Sequence, residues 1–382
     1  MRTRDVLRVL DDVRRAGAAA AAYRRAVQTA RAGEDGVVPW REVERAWRRA
    51  ETAASRRAGL RPVLSRWPAP GDRRRVTGVV LDRLADGPVE LMRAADAVCV
   101  QSSGGKDSAV ALDRAVEAAR SAGCVEKLVV VHAHLGEDAE WPGVEELARR
   151  QAARYGLPLV TVAADGGFTG MVAERGRWPD AARRLCTARL KRDAAAPEIT
   201  AVVDALGLDE QAVVLNVFGI RAAESPFRAG RPRLALDERA TSGRRMVLAW
   251  NVVHRLSEAE VWREIAERGL EYHEVYDAGL ERLSCALCVI AGREWLVRAA
   301  RVCFALGLAH PQVYVALEAR IGHDFKHGLP ISDVVARARE LEAVEGPLTW
   351  RRGDALRRHV GEEAAEAYLL RLAADRSVPL FV

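Results

Sequence analysis

The sequence predicts an α/β protein built on a mostly parallel, doubly wound sheet, flanked by helical N- and C-terminal regions. Three observations carry that expectation. Short apolar runs begin abruptly at Ala97 and recur, amphipathic stretches of helical length separate them, and the segments before and after this alternation show no strand pattern. Strands that alternate with helices bury both faces of a parallel sheet.

Taken in order, residues 1–88 are rich in Ala and Arg and read as an Arg-rich helical region, with breaks near Gly33–Gly36, at Pro39 and around Arg66–Gly71. The apolar runs follow: AVCVQ (97–101), KLVVVHAHL (127–135), PLVTVAA (158–164), AVVLNVFGI (212–220) and RMVLAW (245–250). Between them, 108–122, 143–155 and 196–206 have the amphipathic spacing of helices. These define an α/β domain over 89–255. From 256 to 382 the chain turns helical again, opening SEAEVWREIAERGL with Ser257 placed as an N-cap.

Composition bounds the function. With 382 residues, 49% of them hydrophobic and 29% charged, the chain can form two or three domains with a substantial core. No uninterrupted apolar run reaches 18 residues, and the charged N-terminal stretch lacks a signal-peptide core, so a cytoplasmic location without a membrane partner is expected. The first 90 residues hold 20 arginines against 12 acidic residues, although the net charge of the chain is only +6. Such a segment could meet nucleic acid phosphates, or be a solvated face of paired charges.

Only four of the 59 basic residues are lysines: Lys106, Lys127, Lys191 and Lys326. Lys106 lies in Ser103-Gly-Gly-Lys-Asp-Ser108, between the first expected strand and the first expected helix. Unpaired amides and the helix dipole favour an anion at such a turn. Gly104 and Gly105 allow close backbone approach to phosphate oxygens, Ser103 and Ser108 offer hydroxyls, Lys106 adds a compact charge, and Asp107 can cap the helix or hold Mg²⁺. Neither GxxxxGK[ST] nor GxGxxG is present, so this is a different phosphate loop.

The stretch Ser103–Ser108 resembles the PP-loop signature of the ATP pyrophosphatase and adenine nucleotide α-hydrolase-like superfamily. That resemblance implies binding of ATP with Mg²⁺, a grip on the departing pyrophosphate and transfer of AMP to a substrate oxygen. Three further segments resemble the phosphoadenosine phosphosulfate (PAPS) reductase family. Arg184-Leu-Cys-Thr-Ala-Arg-Leu-Lys191 is similar to its R-x-C-T-x-x-x-K segment, and Gly219-Ile-Arg-Ala-Ala-Glu-Ser225 with Arg228 to its G-x-R-x-x-E-S-x-x-R segment. Tyr276-Asp-Ala-Gly279, Arg282 and Cys285-Ala-Leu-Cys288 are similar to its Y-x-x-G…R…C-x-x-C segment. The likeness spans about 95–290. It implies that Lys191, Arg221 and Arg228 position the nucleotide or an acidic substrate, with Lys106, Asp107 and Arg221 as the catalytic set.

The chain departs from the family pattern in three places. His134 stands where relatives carry an aspartate, and takes either a polar role at the nucleotide edge or a solvent-facing one. The segment from Gly136 to Glu140-Trp-Pro142 is two residues longer than usual. The chain ends RSVPLFV, without the cysteine-bearing tail with which thiol-dependent reductases attack sulfur, which argues against a simple reductase.

Six cysteines in a chain of this kind do not read as a disulfide framework, and Cys99 and Cys124 read as packing residues. Cys186 with Cys285-x-x-Cys288 has the order of iron–sulfur adenosine phosphosulfate (APS) reductases, with one cysteine of the usual pair at 186 missing. Cys303 is the candidate fourth ligand. The resemblance thus implies a [4Fe–4S] cluster, with zinc or no metal as the alternatives. His323 and His327, four residues apart, would share a face of a helix but lack a third ligand nearby.

Together these features predict an ATP-dependent adenylyl transferase of the PAPS reductase family acting in sulfur transfer, with a sulfur donor as partner and nucleic acid as a possible one. The alternatives are an APS or PAPS reductase, and a non-catalytic nucleotide- or nucleic-acid-binding component of an assembly.

Overall fold

The computed structural model describes residues 85–374 apart from 181–183, 209–210 and 284. Nearly all of the expected Arg-rich region over 1–88, and the whole of RSVPLFV, lie outside the described residues.

Each apolar run forms a strand. These are β1 (Ala97–Ser102), β2 (Leu128–His134), β3 (Leu159–Ala163), β4 (Ala212–Phe218) and, after a short β5 (Leu234–Leu236), β6 (Arg245–Trp250). The sheet order is β3-β2-β1-β4-β6-β5. Parallel registers run from Val130 opposite Leu159 to His134 opposite Ala163, and from Ala212 opposite Arg245 to Val217 opposite Trp250. Residues 97–100 and 212–217 are buried without interruption, as strands covered on both faces require. β5 was not expected: its three residues are too few to show a period, and it pairs antiparallel with β6. Helices fill the intervals, including Lys106–Ala122, Val144–Ala153 and Ala194–Ala205, so the fold is the expected doubly wound α/β arrangement.

Two compact units are present. One gathers 85–100, 114–129 and 199–254; the other gathers 101–113, 130–198 and 255–374. In the first, Cys99 is buried in β1 with its thiol pushed up to about 12 by burial, and the buried Cys124 thiol points at the Met92 carbonyl oxygen. Both are packing residues. In the second, Phe168, Trp178, Tyr314 and Phe325 form a connected aromatic core, with ring centroids from 4.9 to 6.2 Å apart. Buried aromatics of this size contribute the largest apolar areas in a core.

Local chemistry sets the helix ends. Ser257 caps Glu258–Arg268 as expected: its hydroxyl accepts the Glu260 N–H at 3.2 Å, the Glu260 carboxylate accepts the Ser257 N–H at 2.7 Å, and Gly269 closes the helix at φ 63°. The helix His310–Ile321 ends at Gly322, φ 62°. His323 and His327 therefore follow the helix in a turn, which corrects the expectation that they share a helical face. Before Ala194–Ala205, residues Thr187–Asp193 form a π-helical turn. Pro197, inside the following helix, lacks the N–H that a regular helix would aim at Asp193. Arg184 takes φ 37°, the one non-glycine among the described residues with a positive φ. Among the described residues no helix is long and apolar enough to cross a membrane.

Candidate phosphate loop and thiol site

β1 delivers the chain into the Ser103–Ser108 turn and the Lys106–Ala122 helix leaves it. Gly104 is required twice over. Its φ is +67°, and a Cβ there would lie 3.0 Å from the Val144 carbonyl oxygen. A Cβ on Gly105 would lie 3.1 Å from the Tyr276 hydroxyl and 3.2 Å from Ser103 Oγ. Hydroxyls hold the turn: Ser108 Oγ accepts the Ser103 N–H at 3.2 Å, Ser102 Oγ accepts the Gly104 N–H at 3.2 Å, and Ser103 Oγ accepts the Gly105 N–H at 3.4 Å. Ser108 Oγ donates to the Gly105 carbonyl at 2.9 Å. These partners are rotatable side chains, which an incoming anion can displace without breaking the strand or the helix.

Lys106 is only 1% exposed. Its backbone N–H donates to the Tyr276 hydroxyl at 3.1 Å, and Nζ donates to the Glu281 carbonyl at 2.7 Å. Carboxylate oxygens of Asp107 and Glu258 each stand 3.3 Å from Nζ, and the Tyr276 ring centroid lies 5.1 Å from it. A desolvated ammonium needs such partners. Sequence reasoning found Lys106 and Asp107 but not Tyr276 as an acceptor, nor Glu258 and Glu281.

Behind the loop lies a buried acid that the sequence did not single out. His132 Nδ1 donates to the Ser102 carbonyl at 3.1 Å, leaving Nε2 3.5 Å from Glu140 Oε1. His134 Nδ1 accepts the Gly136 N–H at 3.2 Å, so its proton sits on Nε2, 3.3 Å from Glu140 Oε2. Glu140 also accepts the Leu135 N–H at 3.3 Å. His134 thus serves an internal polar role on Glu140, and a turn closed by the Ala139 and Glu140 N–H groups, both donating to the Gly136 carbonyl at 3.0 Å, brings Glu140 back to it.

Three cysteines come together in the same unit. Burial raises the Cys186 thiol, with Cys288 as the next cause; burial raises Cys285 further, followed by Cys288, while Lys191 opposes the rise at both. Cys186 caps the π-helical turn that carries Lys191. Cys303, within Arg293–Ala305, is pushed up to about 12 by burial alone and stands among core residues. The soft thiols of Cys186, Cys285 and Cys288 suit a thiophilic metal in donor chemistry. As placed, however, no three His, Cys, Asp or Glu side chains among the described residues stand where they could hold a metal ion. The geometry falls short of a preformed site, and no step below runs through one.

In the other unit, Arg221 is buried and its N–H donates to Glu224 at 2.9 Å. Arg228 pairs with Glu224, its N–H donates to Ser225 Oγ at 3.3 Å, and its carbonyl oxygen lies 3.1 Å from His254 Nε2. The motif is therefore one folded knot, in which Glu224 holds the Arg221 backbone and the Arg228 guanidinium, and Ser225 starts the short helix that carries Arg228.

A glycine loop of this type, set where β1 of a doubly wound sheet passes into the helix Lys106–Ala122, is that of a PP-loop nucleotide-binding enzyme. Residues 97–291, just over half of the chain, match the phosphoadenosine phosphosulfate reductase domain. The chain belongs to that family. Among solved structures it is similar to a PAPS reductase from Candida auris in a phosphate complex, with 20% identity and a TM-score of 0.36 over 53% of this chain and 93% of that one. It is also similar to the Candida glabrata FMN adenylyltransferase in complex with FAD and inorganic pyrophosphate, with 13% identity and a TM-score of 0.34 over 53% of this chain and 64% of that one. The chain thus spans less than two thirds of the adenylyltransferase. No curated protein matches it in sequence.

Proposed function

We propose that the chain binds ATP with Mg²⁺ at the Ser103–Ser108 loop and transfers its adenylyl group to an acceptor, releasing pyrophosphate, in a reaction that delivers sulfur. The observation that carries this reading is the glycine turn itself. Gly104 takes a φ of +67°, a Cβ on Gly104 or Gly105 would lie 3.0 or 3.1 Å from its nearest neighbour, and every partner of the three amides at 103–105 is an exchangeable hydroxyl. The amides and Lys106 would hold the pyrophosphate as its charge develops, as preorganised donors do. Asp107 would meet the Mg²⁺ that arrives with the nucleotide. An acceptor oxygen attacks the α-phosphorus while the bond to pyrophosphate breaks.

Arg221, Arg228 and Lys191 would position the nucleotide or an acidic acceptor. A hydrosulfide-level sulfur nucleophile, supplied by a donor and guided past Cys186, Cys285 and Cys288, then forms a bond to the activated acceptor as the acceptor–oxygen bond to AMP breaks and AMP leaves. The same three thiols are where the [4Fe–4S] cluster implied by the family resemblance would be held. Iron and zinc analysis of anaerobically purified protein tests that part: about four irons per chain supports it, and one zinc or no metal removes it. The Arg-rich first segment would supply a nucleic acid contact, tested by affinity that falls steeply with salt.

The central experiment offers the protein ATP and Mg²⁺ with candidate acceptors and measures pyrophosphate, beside a second assay with APS or PAPS and thioredoxin that measures sulfite. Pyrophosphate release supports the transferase reading. Family membership favours a reductase as the second reading, and sulfite formation without ATP would establish it instead. ATP binding with neither product would mark a non-catalytic component.

A further inference from the structure

The phosphate loop is clasped by the segment that leads to the cysteine pair. One oxygen, the Tyr276 hydroxyl, accepts both the Lys106 N–H at 3.1 Å and the Leu283 N–H at 3.2 Å. The Glu281 carbonyl engages the Lys106 ammonium at 2.7 Å. Leu283 lies against both glycines, its Cβ 3.4 Å from where a Gly105 Cβ would stand and its Cδ2 3.7 Å from that of Gly104. Cys285 follows two residues later. The tyrosine itself is anchored from behind, because the Arg358 guanidinium donates to the Tyr276 and Asp277 carbonyls at 2.5 and 3.3 Å.

We propose that Tyr276, through its hydroxyl, and the Glu281–Leu283 strap it holds, through the Glu281 carbonyl, compete with phosphate for the Lys106 N–H and ammonium, so that nucleotide arrival releases the segment bearing Cys285. The inference rests on the nucleotide reading above and adds coupling between the two halves of the site. The competition has a clear direction. At the Lys106 N–H an anionic phosphate oxygen would replace the neutral Tyr276 hydroxyl, and a hydrogen bond with an ionised partner is about twice as strong as a neutral one. At the ammonium, phosphate would bring a second charge where the Glu281 carbonyl brings none, beside the Asp107 and Glu258 carboxylates at 3.3 Å. Strap and anion call on the same donors, so each weakens the other equally, as linkage demands.

The test compares wild type with Tyr276→Phe, which keeps the ring and deletes the shared acceptor. The Lys106 N–H then loses the Tyr276 oxygen in the free protein and gains a phosphate oxygen when pyrophosphate binds. Pyrophosphate affinity by calorimetry should rise about tenfold. Alkylation of Cys285 by N-ethylmaleimide, followed by mass spectrometry, should be slow in free wild type and faster with saturating pyrophosphate. In free Tyr276→Phe it should already be fast. Leu283→Ala, which trims the strap without touching Lys106 or Tyr276, should also speed labelling, and it covers the case in which the tyrosine variant fails to fold. Equal or weaker pyrophosphate binding by a folded Tyr276→Phe overturns the strap while leaving the phosphate loop standing. Cys285 labelling that ignores pyrophosphate in wild type overturns the coupling. If neither protein binds pyrophosphate, the nucleotide reading fails and the strap fails with it.

Discussion

Lowering the pH from 7 to 5 should cost the unit that holds the phosphate loop about 2 kcal/mol through one side chain, His273. Its Nε2 donates to the Pro142 carbonyl at 2.8 Å and its Nδ1 accepts the Val275 N–H at 3.2 Å, so both nitrogens are committed to the neutral ring. Burial drives its pKa down to about 4, with the Pro142 hydrogen bond opposing and Arg352 adding to the fall. In the unfolded chain an ordinary histidine titrates near 6.5. The unfolded state therefore takes up the proton first. Stability is complete above about pH 6.5, declines as pH falls, and levels off below about 4, where the total loss reaches about 3 kcal/mol at about 1.4 kcal/mol per pKa unit. Urea unfolding followed by tryptophan fluorescence at pH 7, 6 and 5 reads this directly. His273→Gln should start less stable but lose about 2 kcal/mol less over that range. Parallel pH profiles for the two proteins would refute the assignment.

Three other outcomes are expected. Gly104→Ala combines a left-handed backbone with a contact at 3.0 Å to the Val144 carbonyl oxygen, and should cost about 2 kcal/mol or more in thermal unfolding. Glu318 accepts the N–H groups of Phe325, Ile331 and Ser332 at 2.7, 2.8 and 3.2 Å. Glu318→Ala should therefore cost about 3 kcal/mol, seen as a lower urea midpoint. Lys106→Ala should weaken pyrophosphate binding at least about tenfold by calorimetry, as loss of a charge-assisted contact does; unchanged affinity would remove the lysine from the phosphate site.

The sheet was legible because its central strands are buried on both faces, so AVCVQ and AVVLNVFGI are written as unbroken apolar runs. β5 left no such trace in three residues. The glycine turn at Ser103–Ser108 was legible as a candidate site because its chemistry is local: glycines, hydroxyls and one lysine within six positions. What escaped was non-local. Tyr276 reaches Lys106 across 170 residues, and nothing in YDAG states which backbone amide its hydroxyl will accept. Glu140 appeared only as part of a lengthened segment; its burial between His132 and His134 needed the register of β2 and the turn after it. The cysteines were legible as a set by resemblance, but their grouping depended on burial. Three come together, while Cys303 faces the core from its own helix. The π-helical turn at TARLKRD was invisible because a polar run with two arginines and a lysine shows no period.

That turn fixes who stands beside Cys186. On an α-helix, a residue five places on points about 140° away from the first. With i→i+5 bonding the same step returns to within about 50°. The widened coil thus swings Lys191 round to the thiol side, where its charge acts on both Cys186 and Cys285. Removing a single residue between 187 and 193 would tighten the coil and turn the ammonium away while leaving every named motif residue in the chain, so spacing here matters as much as identity.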